Sequence, residues 1–351
     1  MLYSSNEIQN EKEFHRAEII RLSEIEKIAE NFGLWLYKSH KKPGISQQKI
    51  ALEILKKWFQ KSSKKRPSLD DFKSLSETII FTLQFLKDNK TIQSLFKENH
   101  SFFQITDVTT DYPLESLLCS ALPYGYLSHL TAMVYYNLTN RIPKHVYYTL
   151  PSPAKWRKKA QEDLRLSLED LYQRDLKEID KLPRVFKENL KNSLFQNPFP
   201  AKRENPNFIF TLQKEPLPYG TTPEGLRILP IGELFLTMLK TPEKCGGKDH
   251  VLATWAEHGS TYAKQILKTS QKRSSQIEQA RIGFFLDEIL HISNPVIENL
   301  RQKQEGKRGG SRKFWPDKDY SPAEKTLYSE NWNLALNDPF FQDYFTSKVA
   351  S

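Results

Sequence analysis

Residues 119–150, CSALPYGYLSHLTAMVYYNLTNRIPKHVYYTL, constrain the chain more tightly than any other stretch. Leu127, Leu130, Val134 and Leu138 recur at three- and four-residue spacing, which lays one apolar stripe along a helix. Pro123 and Gly125 open the segment, and Ser128 has the side chain of an N-cap. Thr139 and Asn140 close the helix. Ile142-Pro143 then turns the chain, because proline pushes the residue before it out of helical geometry. From His145 to Leu150 the residues alternate, with His145, Tyr147 and Thr149 on one face and Val146, Tyr148 and Leu150 on the other. The spacing predicts helix, tight turn, strand. It contains no catalytic pattern: Ser128 and His129 are neighbours and project to different helix faces.

A chain of 351 residues fits two or three domains, and 38% apolar residues with six Trp, 15 Tyr and 21 Phe supply real cores. No apolar run approaches the ~20 residues that span a bilayer, and the first residues lack an apolar signal core. Cys119 and Cys245 stand far apart without neighbours at metal spacing, so neither a disulfide framework nor a zinc site is implied. The expectation is a cytoplasmic protein of the reducing compartment with no membrane, metal or cofactor partner.

The charge is uneven. Of a net +10, residues 35–66 carry ten Lys/Arg against Glu53, and residues 301–318 carry seven against Glu305 and Asp317. Two such runs, with aromatics beside them (Trp58, Phe59, Phe314, Trp315), point to a polyanion, most often nucleic acid. A solvated lysine-rich face is the plain alternative for either run alone.

Residues 11–37 read as a helix through Ile19, Leu22, Ile25, Ala29 and Phe32, packing on the next domain or on a second copy. Pro43-Gly44 is a break. Ser46 then caps a helix carrying Ile50, Leu52, Ile54, Leu55, Trp58 and Phe59. Ser68 caps a short second helix with Asp70 and Asp71 in its first turn. A turn at Ser74 to Ser76 leads to a third helix over 77–88. Thr91 to Phe96 and Ser101 to Thr106 then form a hairpin about the tetrapeptide at 97–100. Three helices and a hairpin are the plan of a winged helix-turn-helix. Lys49, Lys56, Lys57, Lys61, Lys64, Lys65, Arg66, Lys73 and the wing's Lys97 would contact phosphates. Thr78, Thr82, Gln84 and Lys87 are the readers the third helix offers to base edges. In the second basic run, Arg308, Arg312 and Lys313 are the corresponding cations.

Residues 154–206 hold thirteen Lys/Arg and nine Asp/Glu around an interrupted apolar stripe, which reads as a solvated helical insertion. Beyond it come strands at Phe208 to Leu212 and Leu226 to Leu229, and helices at Ile231 to Leu239, Val251 to Ala263 and Gln276 to Ile292. The fold class is thus α+β and helix-rich. Its domains are a helical extension (1–42), a winged helix-turn-helix (43–106) and a mixed α/β domain (107–351) with the insertion at about 154–206. No phosphate loop and no HExxH motif occur. Glu288 and His291 with His250 and His258 have metal-like residue types, but lone histidines on apolar faces are usually structural. Asp317 with Glu324 and Lys325 offers the residue types of a metal-dependent nuclease, the enzymatic alternative. No catalytic residue is assigned.

The 119–150 stretch resembles the core motif of AbiEi-family antitoxins, the regulator half of type IV abortive-infection toxin–antitoxin pairs. Tyr126, Ser128, His129, Leu130, Ala132, Leu138, Thr139, Ile142, Pro143, Val146 and Tyr147 carry the likeness. A second patch, with Leu236, Pro242, Glu243, Cys245, Gly246 and Gly247, and the closing Trp332-Asn333-Leu334 with Asn337 are similar to family segments as well. The resemblance covers about 107–153 and 207–337. It implies a winged helix that binds inverted repeats in the operon's own promoter, and a C-terminal domain that supports repression and dimerisation. It also implies phage defence alongside an AbiEii-like nucleotidyltransferase toxin as functional partner, with or without a complex between them. The chain departs from the family in its extra leading helix and in an apolar third helix. A protein-interaction module of a defence operon is the remaining alternative.

Overall fold

The computed structural model describes residues 22–61, 69–96, 101–106, 112–168, 184, 188, 207–214, 219–304, 312–316 and 327–349, with backbone alone at 58–61, 69–73 and 347–349. The protein is α+β and helix-rich. It divides into two compact units. One comprises Met1–Gly125, Thr149–Pro216 and Pro223–Leu226; the other comprises Tyr126–Tyr148, Leu217–Thr222 and Arg227–Ser351.

In the first unit, helix α1 (residues 22–35) runs into a π-helical turn, Leu36–His40. Ile25, Ala29, Phe32 and Leu36 are buried along one face, as their spacing predicts. Next come β1 (Gly44–Ser46), α2 (Gln47–Lys61), α3 (Leu69–Asp88), β2 (Ile92–Ser94) and β3 (Phe102–Ile105). The strands form an antiparallel sheet in the order β1-β3-β2, with Ile45 opposite Phe103 and Ile92 opposite Ile105. Phe32, Leu36, Ile45, Ile50, Leu55, Ile79, Leu86 and Phe103 share one core. The end of the leading helix, at Phe32 and Leu36, is therefore part of this core, and residues 1–21 lie outside the described residues.

Two local differences from the sequence reading have simple causes. Ser46 does cap α2, its Oγ accepting the Lys49 N–H at 3.1 Å. The Ser74–Ser76 segment does not turn: Leu75, Ile79, Leu83 and Leu86 make one buried stripe, and the Thr78 hydroxyl donates to the Ser74 carbonyl inside the helix (2.7 Å). α3 is one continuous helix. It ends where Lys90 turns left-handed (φ 53°) and the Thr91 N–H donates to Leu86 O at 2.8 Å. Gly44, read as a break, instead opens β1. A Cβ there would lie 2.8 Å from the Leu117 carbonyl of α4 (Leu114–Ala121), so only glycine admits that helix.

Helix α6 (Pro153–Leu168), which opens the stretch read as an insertion, packs into the first unit. Trp156, Ala160 and Leu164 are buried at four-residue spacing, a stripe too narrow to stand out among the surrounding charges. Trp156 lies edge-on to Tyr124 (4.6 Å between centroids) and Phe102 (6.0 Å), and the Tyr124 hydroxyl donates to Asp163 at 2.6 Å. Residues 169–206, apart from 184 and 188, lie outside the described residues.

In the second unit, β4 (Tyr126–Leu127) pairs in parallel with β8 (Arg227–Ile228), which pairs antiparallel with β7 (Gly220–Thr221). Leu127 is a strand residue, and the expected helix is the shorter α5 (His129–Tyr135). It ends at Asn137 (φ 55°), with the Leu138 N–H donating to Met133 O at 2.9 Å and the Asn137 N–H to Val134 O at 3.0 Å. Asparagine thus supplies the left-handed residue of a Schellman cap, upstream of the Thr139-Asn140 end that composition suggests. The strand predicted after Ile142-Pro143 is β5 (Val146–Pro151), whose residues from Thr149 on belong to the first unit, as does β6 (Phe208–Gln213), the strand predicted at 208–212. Helices α7 (Ile231–Lys240), α8 (Lys248–Arg273), α9 (Gln276–Phe284) and α10 (Pro295–Gln302) follow, with a π-helical turn at Phe285–Ile289. β9 (Leu327–Ser329), β10 (Leu334–Leu336) and α11 (Pro339–Val349) complete the unit. Phe284, Phe285, Phe314 and Phe341 are all fully enclosed and meet ring to ring.

Candidate nucleic-acid interface

The basic run of residues 35–66 surfaces in two pieces of the first unit. Lys38, Lys41 and Lys42 are exposed in the turn that ends α1. Lys49 and Lys56 lie on α2, with 43% and 32% of their side chains exposed, and both reach Glu53 (2.8 and 3.2 Å). Burial opposes ionisation of Glu53, but these two lysine hydrogen bonds outweigh it and hold the carboxyl below its ordinary range. His40 joins the two pieces. Its Nε2 meets the Gly44 carbonyl at 2.9 Å, and burial, with the Lys42 and Lys49 charges, lowers its pKa. The turn and the start of α2 are one cationic rim, in which Lys38, Lys41 and Lys42 join the lysines singled out on α2. Their signal in the sequence was the charge run itself; assigning readers helix by helix passed over them.

Lys57 is placed differently. Its Nζ lies over the rings of Phe32 (5.6 Å) and Trp35 (5.9 Å), a cation–π seat that orients the ammonium. Two lysines share the one Glu53 carboxylate, so positive charge is left over for a phosphate. Lys61, Lys64, Lys65, Arg66, Lys73 and Lys97 have side chains outside the described residues.

The proposed readers on α3 need correction. Thr78 and Thr82 are wholly buried, so neither faces a groove. Lys87 turns its Nζ over the Phe103 ring at 5.4 Å, and the Gln84 amide donates to Asp88 at 2.7 Å. What α3 offers outward is Ile80 (45% exposed), Gln84 and Asp88, beside the stacked half-buried rings of Phe81 and Phe85 (6.3 Å). Sequence alone could not separate these faces, because apolar residues (Ile79, Ile80, Phe81, Leu83, Phe85, Leu86) lie all round ETIIFTLQFL and either side could be inward.

The second unit contains the other cations. Arg308 lies outside the described residues. Arg312 donates to the fully buried Gln304 (Oε1, 2.7 Å), and Lys313 forms an isolated bridge with Ala335. The neighbouring Phe314 and Trp315, the aromatics beside this basic run, are buried. Arg281, which sequence reading passed over, donates to the Lys313 carbonyl at 3.1 Å.

The chain matches no family model and no curated protein. Its chemistry rests on the residues themselves. At the resemblance-bearing Ser128-His129, the Ser128 hydroxyl and His129 Nδ1 are 2.8 Å apart, so the two side chains meet instead of diverging. His129 holds a left-handed backbone (φ 50°) at the strand–helix junction, which brings this about. Both residues are buried, and desolvation, reinforced by the Lys244 charge, lowers the His129 pKa to about 3. An imidazole so weakly basic is a poor proton acceptor at neutral pH. Burial likewise pushes the Cys245 thiol up, away from nucleophilic reactivity. The nuclease candidates Asp317 and Glu324 lie outside the described residues.

Proposed function

We propose that this chain is a DNA-binding transcriptional regulator of antitoxin type, whose first unit meets duplex DNA as a winged helix. One observation carries the reading: helix, strand, two helices and a hairpin in sequence, with sheet order β1-β3-β2, is the element order of that module. The cationic rim of Lys38, Lys41, Lys42, Lys49 and Lys56 supports phosphate contact, and the exposed face of α3 offers few groups for base edges. Affinity in this reading comes mainly from the backbone, and sequence preference from shape. The resemblance around Ser128, His129, Ile142 and Pro143 supports repression of its own operon through inverted repeats. It also supports a functional pairing with an AbiEii-like nucleotidyltransferase toxin, with a homodimer on DNA. A gel shift on the promoter upstream of its gene, at two salt concentrations, tests this: binding at low salt that weakens steeply at high salt is expected, and no shift at low salt sinks it.

A second reading, protein contact through the winged helix, is favoured by the Ile80, Phe81, Phe85 and Asp88 face of α3, which is apolar and acidic. Pull-down of the neighbouring gene product, lost in Ile80→Asp but retained in Lys49→Ala, distinguishes it from the first.

A further inference from the structure

We propose that Arg281 and Arg312 form a binding site for a phosphate group, in the second unit and independent of the winged helix. The argument begins with a buried charge. Arg281, in the last turn of α9, is only 8% exposed, and its Nε has no hydrogen-bond partner among the described residues. A buried guanidinium is normally met by a carboxylate or another anion. Arg281 instead donates to a neutral acceptor, the Lys313 carbonyl at 3.1 Å. Arg312 does the same, donating to Gln304 Oε1 at 2.7 Å and, at the long end of hydrogen bonding, to Gln276 O at 3.5 Å.

These bonds cross. Arg312 reaches the first residue of α9, and Arg281, five residues further along that helix, reaches back to the residue after Arg312. The two guanidiniums feel each other directly: burial, and with it the Arg312 charge, lowers the Arg281 pKa. The carboxylate nearest in charge, Glu278, is already engaged: it accepts the Ser275 N–H at 2.7 Å and pairs with Lys240 at 3.1 Å. Neither arginine forms an ion pair with a described carboxylate. The support behind them is built. Gln304 is fully buried, its amide donates to Leu300 O (3.2 Å), and its own carbonyl accepts from Asn333 Nδ2 (2.8 Å).

Two guanidiniums anchored by neutral oxygens keep their positive charge and their remaining N–H groups for an anion. The planar fork suits the oxygens of phosphate better than a point charge does. Arg312, the less buried of the two, is the accessible side. A phosphate oxygen that reaches Arg281 Nε would also satisfy a donor that has no partner among the described residues.

Calorimetric titration of the full chain with inorganic phosphate, ATP and a short DNA duplex, at constant ionic strength, tests this. Wild type is expected to show saturable phosphate binding, weakened about tenfold or more in Arg312→Gln, which loses one charge-assisted fork. Arg281→Lys keeps the charge but loses the fork, and should weaken binding several-fold with the fold retained by circular dichroism. Tighter, Arg312-dependent binding of ATP identifies a mononucleotide as the source; Arg312-dependent binding of the duplex alone identifies the DNA backbone. Equal binding by wild type and both variants, or no saturable binding of any probe, overturns the proposal.

Discussion

The two units bury different chemistry. In the first, the core around α1, α2 and α3 is built from isoleucine, leucine and phenylalanine, and its fully buried polar groups are hydroxyls such as Ser76, Thr78 and Thr82. In the second, ionisable groups go inside: His129, Glu233 and Arg281 are buried, beside Trp255, Trp315, Trp332 and a phenylalanine cluster. Glu233 meets Arg273 at 3.1 Å, yet burial still raises its pKa above the ordinary value. An aliphatic core responds to lost volume. A core with ionisable side chains and interlocked rings responds to pH and to added volume as well.

The largest effect should come from the first unit. Leu86, fully enclosed on α3, leaves a cavity as Leu86→Ala and should cost about 3 kcal/mol in urea denaturation. In the second unit the opposite change is damaging. A Cβ on Gly283 would lie 2.1 Å from the Trp332 ring, so Gly283→Ala should destabilise by about 2 kcal/mol, read by the same method. Alanine at Gly33 of the first unit meets only Leu86 Cδ2 at 3.7 Å, ordinary contact, and within a helix should stabilise by about 0.5–1 kcal/mol.

Acid should separate the units next. His129 is lowered from 6.5 to about 3 in the fold, so the unfolded chain binds the extra proton first. Its contribution is complete above pH 6.5 and is lost as the pH falls from there toward 3; by pH 5 the loss reaches at most about 2 kcal/mol. Glu233, raised in the fold, works in the opposite sense and offsets part of this. His129→Asn, which tolerates the left-handed backbone, should flatten the pH dependence of the second unit's urea midpoint. The smallest effect belongs to Glu53→Gln: stability should change by under about 1 kcal/mol, while DNA affinity rises because Lys49 and Lys56 lose their competitor.

The same difference explains what could be read from the chain. Ile25, Ala29 and Phe32, and Ile50, Ile54 and Leu55, announce their buried faces because apolar spacing sets which side of those helices turns inward. The hairpin at 91–106 was legible for the same reason, with Ile92 and Ile105 facing each other. Where one hydroxyl or one glycine decides, pattern fails: Thr78 bonds within α3 and hides its turn-like serines, and Gly44 admits α4 where it looked like a break. Of the candidate interface, the lysines on α2 were legible as charge. The inward turn of Thr78 and Thr82 was not, and Arg281 gave no signal because a lone arginine in an apolar helix looks like a solvated one.

The salt dependence of duplex binding by fluorescence anisotropy tests the central claim most directly, comparing wild type with the Lys49→Ala/Lys56→Ala double variant. If these lysines neutralise phosphates, the slope of log K against log salt should become shallower by roughly 1.8, about 0.9 for each contact removed. An unchanged slope, or wild type that fails to bind duplex at low salt, would contradict the account.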